Sequence, residues 1–236
     1  QHYANMGRAY YELGLISRAD GRSNSSYDPN ALYYFKWARV IDPAWFSPDY
    51  VLFVRCSLGE VKEEISRNRD RGWEKKFIKD LEKVIDLCEV GLARNAVLKE
   101  LHLVAGETYL RMEELTQVPE EQIDYLIQAT ARFEEGLATN PCFKEGYHRG
   151  MTAYVKLVGL QNTPKMKREY LLRTIALGEK GLRTTCPQNW TYFFTALAYF
   201  NLAQETSDLD AKILHLKKAA FLYEQGLQIE GTHSSM

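Results

Sequence analysis

At 236 residues, with 45% hydrophobic and 12% aromatic content, the chain has enough apolar material to bury a core of one or two domains. Its 30 Lys and Arg against 31 Asp and Glu leave a formal charge of −1, which argues against the basic excess of a nucleic-acid binder. No apolar run reaches the roughly 18 residues that a membrane span needs.

Taken from the N-terminus, the first 43 residues read as two helices, one carrying Tyr3, Met6-Gly7 and Tyr10, the other Ala31 and Phe35, closed by Pro43. The polar stretch from Arg18 to Tyr27, rich in Gly and Ser, reads as a flexible connection between them. A shorter break of the same kind, Asn68 to Gly72, interrupts the next segment. Gln1 follows no initiator Met and no signal-type apolar stretch, which reads as a processed or truncated piece.

From there a period takes over. Gly91, Gly136, Gly181 and Gly226, each followed by Leu, recur every 45 residues, and Tyr109, Tyr154 and Tyr199 keep the same step. So do Pro119 and Pro164, and the row His102, Tyr147 and Tyr192. Within a unit, apolar residues recur at three- and four-residue steps, as in 165–182 (Met166, Tyr170, Leu171, Thr174, Leu177) and in 188–205 (Trp190, Phe193, Leu197). Thr163-Pro164 predicts an N-cap with Pro in the first turn, and Ser207 predicts the start of the last helix. Asn140-Pro141 and Cys186-Pro187 predict the ends of second helices. Each unit is thus expected to be a helical hairpin.

These rows resemble the tetratricopeptide repeat (TPR), whose signature runs aromatic, Leu-Gly, Tyr, Ala, Phe, Pro over a unit of about 34 residues. The first unit offers Tyr3, Met6-Gly7, Tyr10, Ala31, Phe35 and Pro43; the third His102, Ala105-Gly106, Tyr109, Ala129, Phe133 and Pro141; the fifth Tyr192, Thr195-Ala196, Tyr199, Ala219, Tyr223 and Gly231. The fourth matches at Tyr147, Gly150-Met151 and Tyr154, with Thr174 and Gly178 where Ala and Phe are expected, and the second only in its back half, at Val84, Cys88 and Ala96. The surplus over the family's unit lies between the Tyr and the Ala and amounts to about three helical turns. Whole turns lengthen a hairpin without rotating its buried stripe, so tall hairpins and not extra loops are expected. The resemblance implies an all-α, right-handed α-solenoid (an α-α superhelix) of about five TPR-like hairpins in one domain over 1–236, with units near 1–43, 44–96, 97–141, 142–187 and 188–231.

In such repeats the first helices of successive units line a concave groove that takes a peptide or helix of another protein. The resemblance places Arg8, Tyr11, Glu100, Leu103, Glu107 and Leu110 there, then Glu145, His148, Thr152 and Val155, then Trp190, Phe193, Leu197 and Phe200. The Lys/Asn clamp with which one subset of the family holds a partner's C-terminal carboxylate has no counterpart, since Ala4, Arg8, Leu103, Glu107, His148 and Thr152 occupy those positions. Trp190, Phe193 and Phe200 form the natural anchor group, because rigid aromatics dominate binding hot spots. The competing reading packs them against the neighbouring repeat, and the Tyr154/Tyr199 row is read as structural. His102 takes a buried aromatic position, whereas His148 is placed to face the groove.

No phosphate-binding Gly loop, nucleophile elbow, HExxH or Cys/His zinc spacing occurs, so neither an enzyme nor a cofactor or metal site is expected. Cys56, Cys88, Cys142 and Cys186 are read as free thiols, which favours the cytoplasm over the periplasm or cell envelope. At the far end, Ala219, Ala220, Leu222, Tyr223 and Leu227 have no following repeat to cover them, so self-association or partner docking is expected there. The function expected is a protein–protein interaction scaffold or adaptor. The alternative is a small-ligand-binding or oligomeric accessory component of a bacterial envelope transport system.

Overall fold

The computed structural model describes residues 1–19, 29–42, 44–45, 49–68, 72–184 and 188–233. Among the described residues there are ten helices and no strand: α1 (His2–Ala19), α2 (Pro29–Ile41), α3 (Asp49–Arg67), α4 (Glu74–Arg94), α5 (Lys99–Leu115), α6 (Pro119–Thr139), α7 (Lys144–Leu160), α8 (Pro164–Leu182), α9 (Asn189–Gln204) and α10 (Leu209–His233). Each predicted unit therefore holds two helices. The surplus residues of the long unit lie within them, for α5 and α6 run 17 and 21 residues with only 116–118 between. The second unit, legible only in its back half, has a full first helix in α3. The connection predicted at 18–27 and the prolines Pro43 and Pro187 lie almost wholly outside the described residues, as does Cys186.

The chain divides into two compact units, Gln1–Thr116 and Gln117–Met236. In the first, α1 packs on α2, α3 on α4, and α5 on both α3 and α4. In the second, α6, α7, α8, α9 and α10 each pack on the next, and α7 also meets α9. The fold is all-α, built by stacking helical hairpins.

Helix boundaries follow local chemistry. Thr163 accepts from the Met166 N–H at 3.4 Å, with Pro164 in the first turn of α8, as the sequence predicts. At α10 the cap is Asp208 and not Ser207: its Oδ1 accepts from the Ala211 N–H at 2.7 Å, one residue later than expected. Helix α8 stops at Leu182, ahead of Cys186-Pro187, with its C-cap at Arg183. Asn95 and Asn140, one period apart, end α4 and α6 identically, each donating its N–H to Gly91 or Gly136 at 3.0 Å.

Two of the periodic glycines, Gly91 and Gly181, mark where three helices converge. A Cβ on Gly181 would lie 3.0 Å from Thr191 in α9 and 3.1 Å from Tyr147 in α7. On Gly91 it would lie 2.4 Å from Leu101 in α5, the residue two periods before Thr191. The second helix of one hairpin is pressed onto the first helix of the next, and a side chain there would hold them apart.

Candidate functional site

Of the three aromatics predicted on the last hairpin, Trp190 and Phe193 line a recess and Phe200 does not. The Trp190 ring stacks on His148 with centroids 4.8 Å apart, so α9 is tied to α7. Phe194 lies 5.9 Å from the same imidazole and meets Phe193 edge-on, while Phe193 is edge-on to Tyr223 of α10 at 5.7 Å. Asn189, Trp190, Phe193, Tyr223, Gly226 and Leu227 enclose a largely apolar cavity of about 370 Å³ between α9 and α10. Phe193 is 52% exposed and Phe200, two turns on along the same face of α9, is 42% exposed. Neither is buried, although Phe193 packs on Phe194 and Tyr223 of its own hairpin.

Burial lowers the His148 pKa, and the nearby Arg149 charge lowers it further, so a neutral imidazole is favoured against the Trp190 face. Thr152 donates to the His148 carbonyl at 2.9 Å and is occupied in holding its own helix.

The remaining groove residues of the sequence reading have other attachments. In the first unit Arg8 pairs with the buried Asp49 at the start of α3. Glu107 accepts from Lys62 at 3.4 Å, Glu100 lies 3.8 Å from Lys99, and Leu103 is buried. Tyr11 and Leu110 are half-buried, as are Val155 and Leu197 in the second unit, whereas Glu145 is exposed. Trp190, Phe193 and Phe200 thus share α9, and His148 joins them through Trp190.

Sequence reasoning places Tyr223 and Leu227 among the uncovered end residues and not at this recess, because the opening between α9 and α10 is a tertiary feature. It also passes over an exposed aromatic cluster in the first unit. Tyr3 stacks on Trp37 at 6.4 Å, Tyr10 on Tyr34 at 5.3 Å, and Tyr33 meets Trp37 edge-on. The run Tyr33-Tyr34-Phe35-Lys36-Trp37 was the available signal: Phe35 is buried, Tyr34 half-buried, and Tyr33 and Trp37 are left exposed.

The buried polar groups are structural. His102 bonds to the Ala96 carbonyl at 3.1 Å, and Tyr147, one period on, donates to the Pro141 carbonyl at 3.0 Å. Cys56 and Cys88 are buried free thiols and Cys142 is an exposed one. Among the described residues no cluster of His, Cys, Asp and Glu is arranged to hold a metal ion, and no helix is long and apolar enough to cross a membrane.

Among solved structures the chain is similar to a thermophilic TPR protein of Thermus thermophilus. The two are 16% identical over 90% of this chain and 98% of that one, with a TM-score of 0.46. No protein-family model and no curated protein matches the chain. At that identity and superposition the likeness carries no argument; the helices themselves show an all-α repeat of helical hairpins.

Proposed function

We propose that this chain is a non-enzymatic interaction scaffold that takes a peptide or helix of another protein, with the α9/α10 recess as its anchor point. The reading is carried by one observation: a cavity of about 370 Å³ walled by Trp190, Phe193, Tyr223 and Leu227 and open to solvent. A recess of that size accepts one large apolar side chain, and burying a Leu or Phe there contributes about 1.5–3 kcal/mol. Contiguous exposed aromatic surface of this kind marks interaction sites. Charge has a lesser part in the second unit, where Glu145, one turn before His148 on α7, is exposed.

The test is affinity capture from lysate with wild type and a Trp190→Ala/Phe193→Ala variant matched in helicity and melting. A protein enriched by wild type and lost with the variant supports the reading. Equal recovery by both versions sinks it.

A further inference from the structure

The internal interface between hairpins has a recurring composition, and residues of both of its halves recur exposed in α1 and α10. On the first-helix side, inner helices bury Thr195, Ala198 and Leu202 in α9 and Gly150, Ala153 and Leu157 in α7 against the preceding second helix. The proof of that packing is Gly178 of α8, where a Cβ would lie 2.0 Å from the Thr195 hydroxyl. On the second-helix side, Leu126, Thr130, Phe133 and Leu137 of α6 are buried, with Leu137 only 1% exposed and set against Gly146 of α7. A polar contact locks the register: Tyr154 of α7 donates to Glu134 of α6 at 2.5 Å, and Tyr199 of α9 donates to Glu179 of α8 at 2.5 Å.

Helix α10 repeats the second-helix half with Leu216, Ala220, Tyr223 and Leu227, each 90 residues after its α6 counterpart. Here Ala220 is exposed and Leu227 is 67% exposed. Glu224 stands in the row of Glu134 and Glu179, also exposed. Helix α1 repeats the first-helix half. Its Gly7 sits against Phe35 of its own α2, as Met151 sits against Gly178 within the α7/α8 hairpin, and this sets its register. Met6, Ala9 and Leu13 then fall on the row of Thr195, Ala198 and Leu202, and all three are exposed, Leu13 to 58%. Tyr10 occupies the row of Tyr154 and Tyr199.

We propose that α1 of one copy docks on the outer face of α10 of a second copy, head to tail, reproducing the inter-hairpin interface with Tyr10 donating to Glu224. The occupant is a second copy because one chain carries both halves of this interface in matching register, polar contact included. Such a contact is heterologous, so every pair keeps one unfilled α1 face and one unfilled α10 face and permits further addition.

Sedimentation and light scattering over a rising concentration series test this. Wild type is expected to show mass growing in multiples of 27.3 kDa. Leu13→Glu and Ala220→Glu, at exposed positions, each give monomers with unchanged melting. Mixed together they give a 1:1 dimer and nothing larger, because one variant keeps an intact α10 and the other an intact α1. Tyr10→Phe and Glu224→Gln each weaken association roughly two- to tenfold, and the double variant no further than the worse single. Wild type that stays monomeric at every concentration overturns the proposal and leaves the two faces to a partner of different sequence. So does a mixture of the Glu variants that fails to pair while wild type associates, or full additivity of Tyr10→Phe with Glu224→Gln. Tyr223 and Leu227 of this face also wall the α9/α10 recess, so partner capture is read with Leu13→Glu, which keeps α10 and the recess intact and cannot self-associate; its capture result tests the scaffold reading apart from self-association.

Discussion

The Tyr199 hydroxyl donates to the Glu179 carboxylate at 2.5 Å, and one period earlier Tyr154 donates to Glu134 at the same distance. The same tie, 20 residues back along the chain, therefore joins α9 to α8 and α7 to α6. At Tyr199 the ring also lies under the Lys218 ammonium at 4.9 Å, and Lys218 donates to the hydroxyl at 3.2 Å. The signature tyrosine of the repeat thus works as a bolt between consecutive hairpins and not as a ligand contact.

This bolt makes stability sensitive to alkali. Burial, and then the Glu134 carboxylate, push the Tyr154 hydroxyl up to about 12 from 10.0, and burial, then the Glu179 carboxylate, raise Tyr199. Above pH 10 the unfolded chain loses these protons first, so it binds fewer protons than the native state and stability falls as pH rises. The contribution is complete below pH 10 and lost as pH climbs through about 12. Tyr154→Phe removes the tie, costs about 1 kcal/mol at neutral pH, and flattens the alkaline fall in melting temperature. Melting curves across that range, with phenolate absorbance alongside, check both effects.

Two glycines should respond to alanine in opposite directions. Gly159, late in α7, has nothing within 4 Å of where a Cβ would go, so Gly159→Ala is expected to stabilise by a few tenths to about 1 kcal/mol through helix propensity. Gly178 would place its Cβ 2.0 Å from Thr195 and 2.9 Å from Met151, both buried, so Gly178→Ala is expected to destabilise by about 1–3 kcal/mol. Urea midpoints with matched slopes decide it.

Arg8 is committed to Asp49, which is 4% exposed, and is not free to orient a partner. Arg8→Ala is expected to lower stability by about 1 kcal/mol, discounted because the guanidinium is half exposed. Partner capture should be unchanged once temperature is corrected for melting. A binding defect at full folding would contradict this.

Removing Trp190 opens His148 to water. Its pKa, lowered mainly by burial, should return towards the ordinary imidazole value in Trp190→Ala, read from the proton NMR titration of the ring. In wild type the unfolded state takes up this proton first on acidification, so stability falls as pH drops through the imidazole range. In the variant that slope should be shallower.

Much of the fold was legible without coordinates. A 45-residue recurrence of glycine, tyrosine and proline, with three- and four-residue apolar steps inside each unit, is a local signal, because helices are specified by contacts along the chain. The N-cap at Thr163 and the end of α6 at Asn140 came from residues adjacent in sequence. The α10 cap was missed by one residue because Ser207 and Asp208 are both good caps. The first half of the second unit was illegible because α3 buries its own set, Tyr50, Phe53, Val54 and Leu58, in place of the signature residues.

Site residues divide on the same principle. The family resemblance put Trp190, Phe193 and Phe200 on one face of α9, since a face is a property of a single helix. Whether that face is covered depends on α10, and whether Arg8 or Glu107 is free depends on Asp49 and Lys62, 41 and 45 residues away in sequence. The sequence by itself determined the helices, their length and their repeat. Only the tertiary structure decided which polar groups are already paired and where Tyr223 and Leu227 close a recess, because pairing and enclosure require side chains from different helices to meet.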